Sequence, residues 1–193
     1  MGQIIPLRSH ISVAPDPERA ARDALFDRWL PEVLRWCTRM GGPRVDPEDA
    51  AHDIMITVLT KHHTLRNPDD LPAWIFGITR RVLAWHRRKA WVRRWVPGAT
   101  PEGEARGPGP ESSASSNELG RRVQVVLETL PDDLRVVLVL CDLEERTDEQ
   151  VANLLGIPSG TVKSRLRRAR ARFANAAEAR GLSRVSALPQ EEA

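Results

Sequence analysis

A chain of 193 residues, 41% hydrophobic and 28% charged, can build one domain or two small ones with genuine cores. Its formal net charge of +3 is small, so selection of a partner by charge depends on how 29 basic and 26 acidic side chains are distributed. The two cysteines, Cys37 and Cys141, lie in unrelated apolar segments and read as buried thiols, which argues against a disulfide or metal pair.

Residues 1–20 are expected to form a disordered arm and residues 21–96 a first domain. Leu25, Trp29, Val33 and Trp36 recur at three- and four-residue steps, the stripe of an amphipathic helix that Gly41-Gly42-Pro43 then ends. Asp46-Pro47-Glu48-Asp49 starts the next helix: Asp46 suits the N-cap, Pro47 the first turn, and the acids favour the positive end of the helix dipole. Ala50, Ile54, Val58 and Leu59 form its inner face. A loop from His62, marked by Asn67-Pro68-Asp69-Asp70, leads to a long helix beginning near Pro72, with Trp74, Ile78, Val82 and Trp85 along one side.

The composition then breaks. Residues 97–117 are rich in Pro, Gly and Ser and carry Glu102, Glu104 and Glu111 against Arg106, so they cannot bury enough surface to offset their ordering entropy. An acidic flexible linker is expected there. A second domain is assigned to residues 118–180, with helices over 118–130, from Pro131-Asp132-Asp133, over 147–155 and from Pro158; residues 181–193 form a tail. Thr147 and Gln150 make a capping box. Strand signals are nearly absent, so the fold class is all-α: two small helical domains on a flexible connector.

The last two helices have the layout of a helix-turn-helix. Ala152 lets them pack closely, Gly156 suits a turn at positive φ, and Val162 fills the angle between them. Six of the ten residues over 163–172 are basic, while Val162, Leu166, Ala169 and Phe173 anchor the inner face. Such a helix suits the DNA major groove. Ser159, Lys163, Ser164 and Arg167 or Arg168 are candidates for base edges. Arg165, Arg170 and Arg172 suit phosphate contacts or nearby acids.

The first domain has two faces of opposite sign. Asp46, Glu48, Asp49 and Asp53 contribute four acids, which cap a helix or dock on a basic partner. Arg80, Arg81, Arg87, Arg88, Lys89, Arg93 and Arg94 contribute seven bases, interleaved with Trp85, Trp91 and Trp95. Cations among aromatics suit backbone contact and stacking on unpaired bases, or a solvated face.

Taken in order, these pieces resemble a bacterial RNA polymerase sigma factor of the sigma-70 family, in its extracytoplasmic-function (ECF) subfamily. The resemblance spans roughly residues 21–180. It rests on Asp46-Pro47-Glu48-Asp49-Ala50-Ala51-His52-Asp53, on Pro72-Ala73-Trp74-Ile75-Phe76-Gly77-Ile78-Thr79-Arg80-Arg81, on Leu130-Pro131 with Val136-Val137-Leu138, and on the segment 156–166.

The resemblance implies a sigma2-like bundle and a sigma4-like helix-turn-helix. Asp46, Glu48, Asp49 and Asp53 would dock on the clamp helices of the largest subunit of core RNA polymerase, with the flap region as a further contact. Leu65, Arg66, Asn67, Trp74, Arg80, Arg81, Arg87 and Arg88 would recognise and melt the −10 element, and a flipped base would be captured by the loop over 65–71. Ser159, Lys163, Ser164, Arg167 and Arg168 would read the −35 element. The linker would thread the active-site cleft and RNA exit channel, and an anti-sigma factor would act in trans. The chain departs from the family pattern at His52, at Met55 and Ile56 in place of an aromatic, in the non-aromatic loop before Trp74, and at Arg81.

A regulator that binds an operator without serving polymerase lacks the paired acidic helix, tryptophan-basic helix and acidic tether. An enzyme is disfavoured because His10, His52, His62, His63 and His86 form no ligand motif, and neither a phosphate-cradling glycine loop nor a nucleophile arrangement is present. No cofactor or metal is expected. No apolar run reaches the ~20 residues of a membrane span and the N-terminus lacks a signal-peptide core, so no membrane insertion and a cytosolic location are expected.

Overall fold

The computed structural model describes residues 16–93 and 114–182. Residues 1–15, 94–113 and 183–193, which include most of the expected arm, linker and tail, lie outside the described residues. Those described are helical, with no strand among them, and none of their helices is long and apolar enough to cross a membrane.

Helix α1 (Pro17–Met40) starts inside the stretch expected to be an arm. Asp16 is its N-cap, accepting a hydrogen bond from the Glu18 N–H at 3.1 Å, with Pro17 at the first position. The helix buries Trp29, Val33, Trp36, Cys37 and Met40 and stops at Gly41-Gly42. Helix α2 (Pro47–Lys61) is capped by Asp46, whose carboxylate accepts from the N–H groups of Glu48 and Asp49. It buries Met55 as well as Ala50, Ala51, Ile54 and Val58. Two short 3₁₀ turns, His62–Thr64 and Pro68–Asp70, lead into α3 (Leu71–Arg93).

The buried face of α3 carries Ile75, Phe76, Ile78, Thr79 and Leu83. Trp85, expected on that stripe, is 52% exposed. Helical phase is right for it, but near Arg87, which donates to the Met40 carbonyl, α3 has reached the end of α1 and has less to pack against. The core centres on Trp36, fully buried and edge-on to Phe76 at 4.8 Å.

The second unit comprises α4 (Ala114–Leu127), α5 (Asp132–Leu138), α6 (Asp148–Leu155) and α7 (Ser159–Glu178). Helix α4 begins at Ala114, ahead of the expected start at residue 118. Helix α5 continues into one wide π-helical turn, Val139–Leu143, after which Glu145 takes a left-handed φ of 53°. That turn and bend carry the chain past α1. Thr147 and Gln150 form both bonds of the capping box at the start of α6, and Gly156 ends it at φ 64°. Val162, Leu166, Ala169 and Phe173 all face inward from α7.

Candidate nucleic-acid interface

Helix α7 is anchored by its apolar face, so its opposite face is free for a ligand. Lys163, Ser164, Arg167, Arg168 and Arg172 are exposed, and Ser159 is half-buried at the helix start. Two hydrogen bonds stay within the helix: Ser164 Oγ donates to the Thr161 carbonyl at 3.0 Å, and Arg168 Nε reaches the Ser164 carbonyl at 3.4 Å. Arg165 and Arg170 differ. Arg170 forms a two-pronged pair with Asp142 at 2.8 and 3.1 Å, and Arg165 lies 3.5 Å from Asp133. For these two the alternative of nearby acids is the one realised, since both project from the flank of α7 toward α5 and the π turn that follows it. Arg172 points to solvent.

In the first unit Glu48, Asp49 and Asp53 are exposed on α2, while the Asp46 carboxylate is spent on capping. Asp53 also accepts a bond from His86 across the helix pair, Nε2 to Oδ2 at 3.0 Å. The His86 ring lies edge-on to Trp85 at 4.9 Å, and the Lys89 ammonium sits 4.8 Å above the Trp85 ring. Nothing in the sequence spacing marks this His86–Asp53 link, because it joins two helices at a level set by packing.

The loop before α3 exposes Arg66 and Asn67 and half-buries Leu65. The Asn67 side chain caps the second 3₁₀ turn by accepting from Asp69 N–H. Trp74 is half-buried against the core. Arg81 and Arg88 are exposed, whereas Arg80 and Arg87 are held by an acid of the second unit: Asp132 lies 3.1 Å from Arg80 and 2.7 Å from Arg87. Asp132 also binds Arg135 at 2.8 Å.

Burial alone would push the Asp132 carboxyl up, but the guanidiniums of Arg135, Arg87 and Arg80 outweigh it and hold it below its ordinary value. A depressed carboxyl stabilises the folded arrangement above its unfolded value, and that contribution is lost as pH falls through the folded one. Compactness followed by small-angle scattering is therefore expected to hold through neutral and mildly acidic pH, with the Asp132 contribution lost only below the ordinary aspartate range.

Around Asp132 the two units meet where α6 packs on α3, along a seam whose side-chain bonds are polar. Glu144, at 4% side-chain exposure, is clasped by Arg35 at 2.7 Å and Arg39 at 2.6 Å. Arg39 also donates to the Leu143 carbonyl, and Arg146 pairs with Glu32 while its guanidinium lies 5.8 Å from the Trp36 ring. The Gln124 amide donates to the carbonyls of Thr38 and Arg39, both at 3.1 Å. An open polar cleft of about 560 Å³ runs along the seam between Arg35, Arg39, Glu144 and Arg146. None of these partners was singled out from the sequence.

Cys37 and Cys141 are free thiols that burial pushes up to about 12, so neither is a ready nucleophile at neutral pH. Among the described residues no three His, Cys, Asp or Glu side chains are grouped to hold a metal ion.

An all-α chain whose second unit carries a cationic helix-turn-helix is a DNA-binding protein by class. The comparisons sharpen this. Residues 25–93 match the family described as Sigma-70 region 2, and residues 120–173 match Sigma-70, region 4. The chain is 31% identical over 150 residues to ECF RNA polymerase sigma factor SigE of Mycolicibacterium smegmatis, which aligns 77% of this chain but spans only 58% of that relative. It is 29% identical over 158 residues to ECF RNA polymerase sigma factor RpoE of Cereibacter sphaeroides, covering 78% of this chain and 82% of that one. Among solved structures, the fold is similar to the sigma factor RpoE in complex with the anti-sigma factor NepR from Bartonella quintana. The TM-score is 0.58 at 22% identity, over 81% of this chain and 96% of that one. The chain belongs to the sigma-70 family of RNA polymerase sigma factors, in its ECF group.

Proposed function

We propose that this chain is a transcription initiation factor, not a catalyst, that binds core RNA polymerase and directs it to promoters carrying −35 and −10 elements. The observation that carries the reading is α7: one face is buried in the second unit, while the other presents Lys163, Ser164, Arg167 and Arg168 to solvent at the position of a recognition helix. In this reading residues 118–180 take the −35 element, with Arg172 on the phosphates. Residues 21–96 hold the −10 element through Leu65, Arg66, Asn67, Trp74, Arg80, Arg81, Arg87 and Arg88. Arg165 and Arg170 serve chiefly to brace α7.

Exposed Glu48, Asp49 and Asp53 present a negative face to the polymerase clamp, and charge complementarity of that kind speeds encounter and sets register. Neither DNA-facing surface offers enough contacts to offset the unstacking of several base pairs alone, so melting requires the polymerase. An anti-sigma factor is a natural further partner, since the RpoE structure with a similar fold holds one.

Transcription in vitro with core polymerase across genomic fragments tests this: the chain is expected to confer initiation at discrete sites that share two spaced sequence elements. Initiation no more selective than that of core polymerase alone rejects it. Docking is checked separately. Asp49→Lys is expected to weaken core binding strongly while lowering stability by only about 1 kcal/mol, since it replaces an acid with a cation at the positive end of the α2 dipole. Asp46→Ala is expected to lower stability by about 1 kcal/mol through loss of the cap. Chemical denaturation alongside a core-binding titration separates the two effects.

A further inference from the structure

The seam between the two units occupies two cations that the proposed −10 surface needs. The Asp132 oxygens divide between them, Oδ1 toward Arg87 at 2.7 Å and Oδ2 toward Arg80 at 3.1 Å. Two oxygens of one anion binding two guanidiniums is also how a DNA phosphate would be held. We infer that the second unit is an internal competitor for the promoter backbone: in the free chain Asp132 takes the place of a phosphate, and the closed seam masks Arg80 and Arg87 until the units are drawn apart. The inference rests on the reading of Arg80 and Arg87 as backbone contacts.

Three features support it. The seam is specific: Gly42 sits at φ +86°, and a Cβ there would come within 2.6 Å of the Glu128 carboxylate of the second unit, so the close approach relies on glycine. The ionic part of the seam is also releasable, because most of its ion pairs and bonds to carbonyls have partly exposed partners, although α6 packs on α3 alongside them. Arg80 Nε and Arg135 Nε are buried without a partner among the described residues, which lowers the cost of opening.

Finally, the masking is selective. Lys163, Ser164, Arg167 and Arg168 remain exposed in the same closed arrangement. The free chain therefore presents its upstream-reading helix and withholds part of its downstream cationic face. The Glu144 clasp closes the seam at a second point, on residues that touch neither Arg80 nor Arg87.

The test uses the full chain without polymerase and two variants. Asp132→Asn removes the competitor itself. Glu144→Gln opens the seam at a distance, and it carries the test alone if loss of the Arg135 bond unfolds the first variant. Small-angle scattering reports compactness, and anisotropy reports binding to a labelled single-stranded DNA of mixed sequence. Both variants are expected to be more extended and to bind about tenfold tighter, the gain when a competent form populated at about a tenth becomes dominant. The dependence of log K on log salt is expected to steepen by about 1.4, for two phosphates on a single strand.

Adding Arg80→Ala and Arg87→Ala to Glu144→Gln is expected to abolish the gain. Unchanged compactness and affinity in Glu144→Gln, or a gain that survives loss of both arginines, overturns the inference. The −10 reading is judged apart from this: if Arg80→Ala/Arg87→Ala holoenzyme opens promoters as well as the parent, that reading fails while the masking measured without polymerase stands.

Discussion

Trp36→Ala is expected to destabilise the first unit by ~3–5 kcal/mol, the cost of deleting a large aromatic from a site that cannot collapse around it. Trp36 is fully buried in α1, edge-on to Phe76 at 4.8 Å and tilted against Trp29 at 6.4 Å, with Arg146 of the second unit over its ring. A loss of that size is a large fraction of the ~5–15 kcal/mol that holds a typical domain together. Trp36→Phe separates volume from polarity. The indole N–H is buried with no partner among the described residues, so phenylalanine removes an unsatisfied donor while keeping most of the ring. Urea denaturation of the full chain is expected to rank alanine far below phenylalanine, and phenylalanine near the parent. Equal losses in the two variants would show that ring packing is not what Trp36 contributes.

The second large effect is on DNA. Arg167→Ala or Lys163→Ala is expected to cost roughly 1–3 kcal/mol on a matched upstream element and to relax preference at one base position, if each reads a base edge. At 1.4 kcal/mol per decade, one substitution weakens binding by about fivefold to somewhat over a hundredfold. Arg172→Ala is expected to behave differently, weakening matched and mismatched duplexes alike and reducing the salt slope by about 0.9 for one lost phosphate. Arg170→Ala follows neither pattern. It breaks a two-pronged pair with Asp142, whose side chain is 6% exposed, so it is expected to lower the melting temperature of the second unit before it alters base preference. Titrations on matched and mismatched duplexes at two salt concentrations, beside a thermal melt, distinguish the three behaviours.

The helix-turn-helix was legible in the sequence because each of its signals is local. Thr147 and Gln150 are three residues apart, Gly156 sits at the turn, and the inward positions of α7 repeat with helical period. The start of α2 was legible for the same reason. The start of α1 uses the same Asp-Pro-Glu order at Asp16-Pro17-Glu18, but it lies within the stretch expected to be an arm, and the apolar stripe begins only at Leu25.

Trp85 shows the limit of periodicity, which gives the direction of a side chain and not whether a neighbour is there to cover it. The seam was not legible at all. Its pairs join residues 45 to 114 positions apart, such as Arg87 with Asp132 and Arg146 with Glu32, and surface charges carry no mark of which opposite charge they will meet. The π turn after α5 is hidden for a related reason: Val139–Leu143 reads as an ordinary apolar helix, and only its packing shows the extra residue in the turn.

The polar character of the seam has a consequence for how the chain responds to its ionic surroundings. Dissolved ions weaken the carboxylate–guanidinium contacts that keep the units together, and they equally weaken the attraction between freed guanidiniums and nucleic acid. These two actions oppose one another in the intact chain: added electrolyte loosens the closed form while making the opened form less adhesive. Over a moderate range of ionic strength, the free factor's hold on nucleic acid will therefore vary less than its number of cations implies.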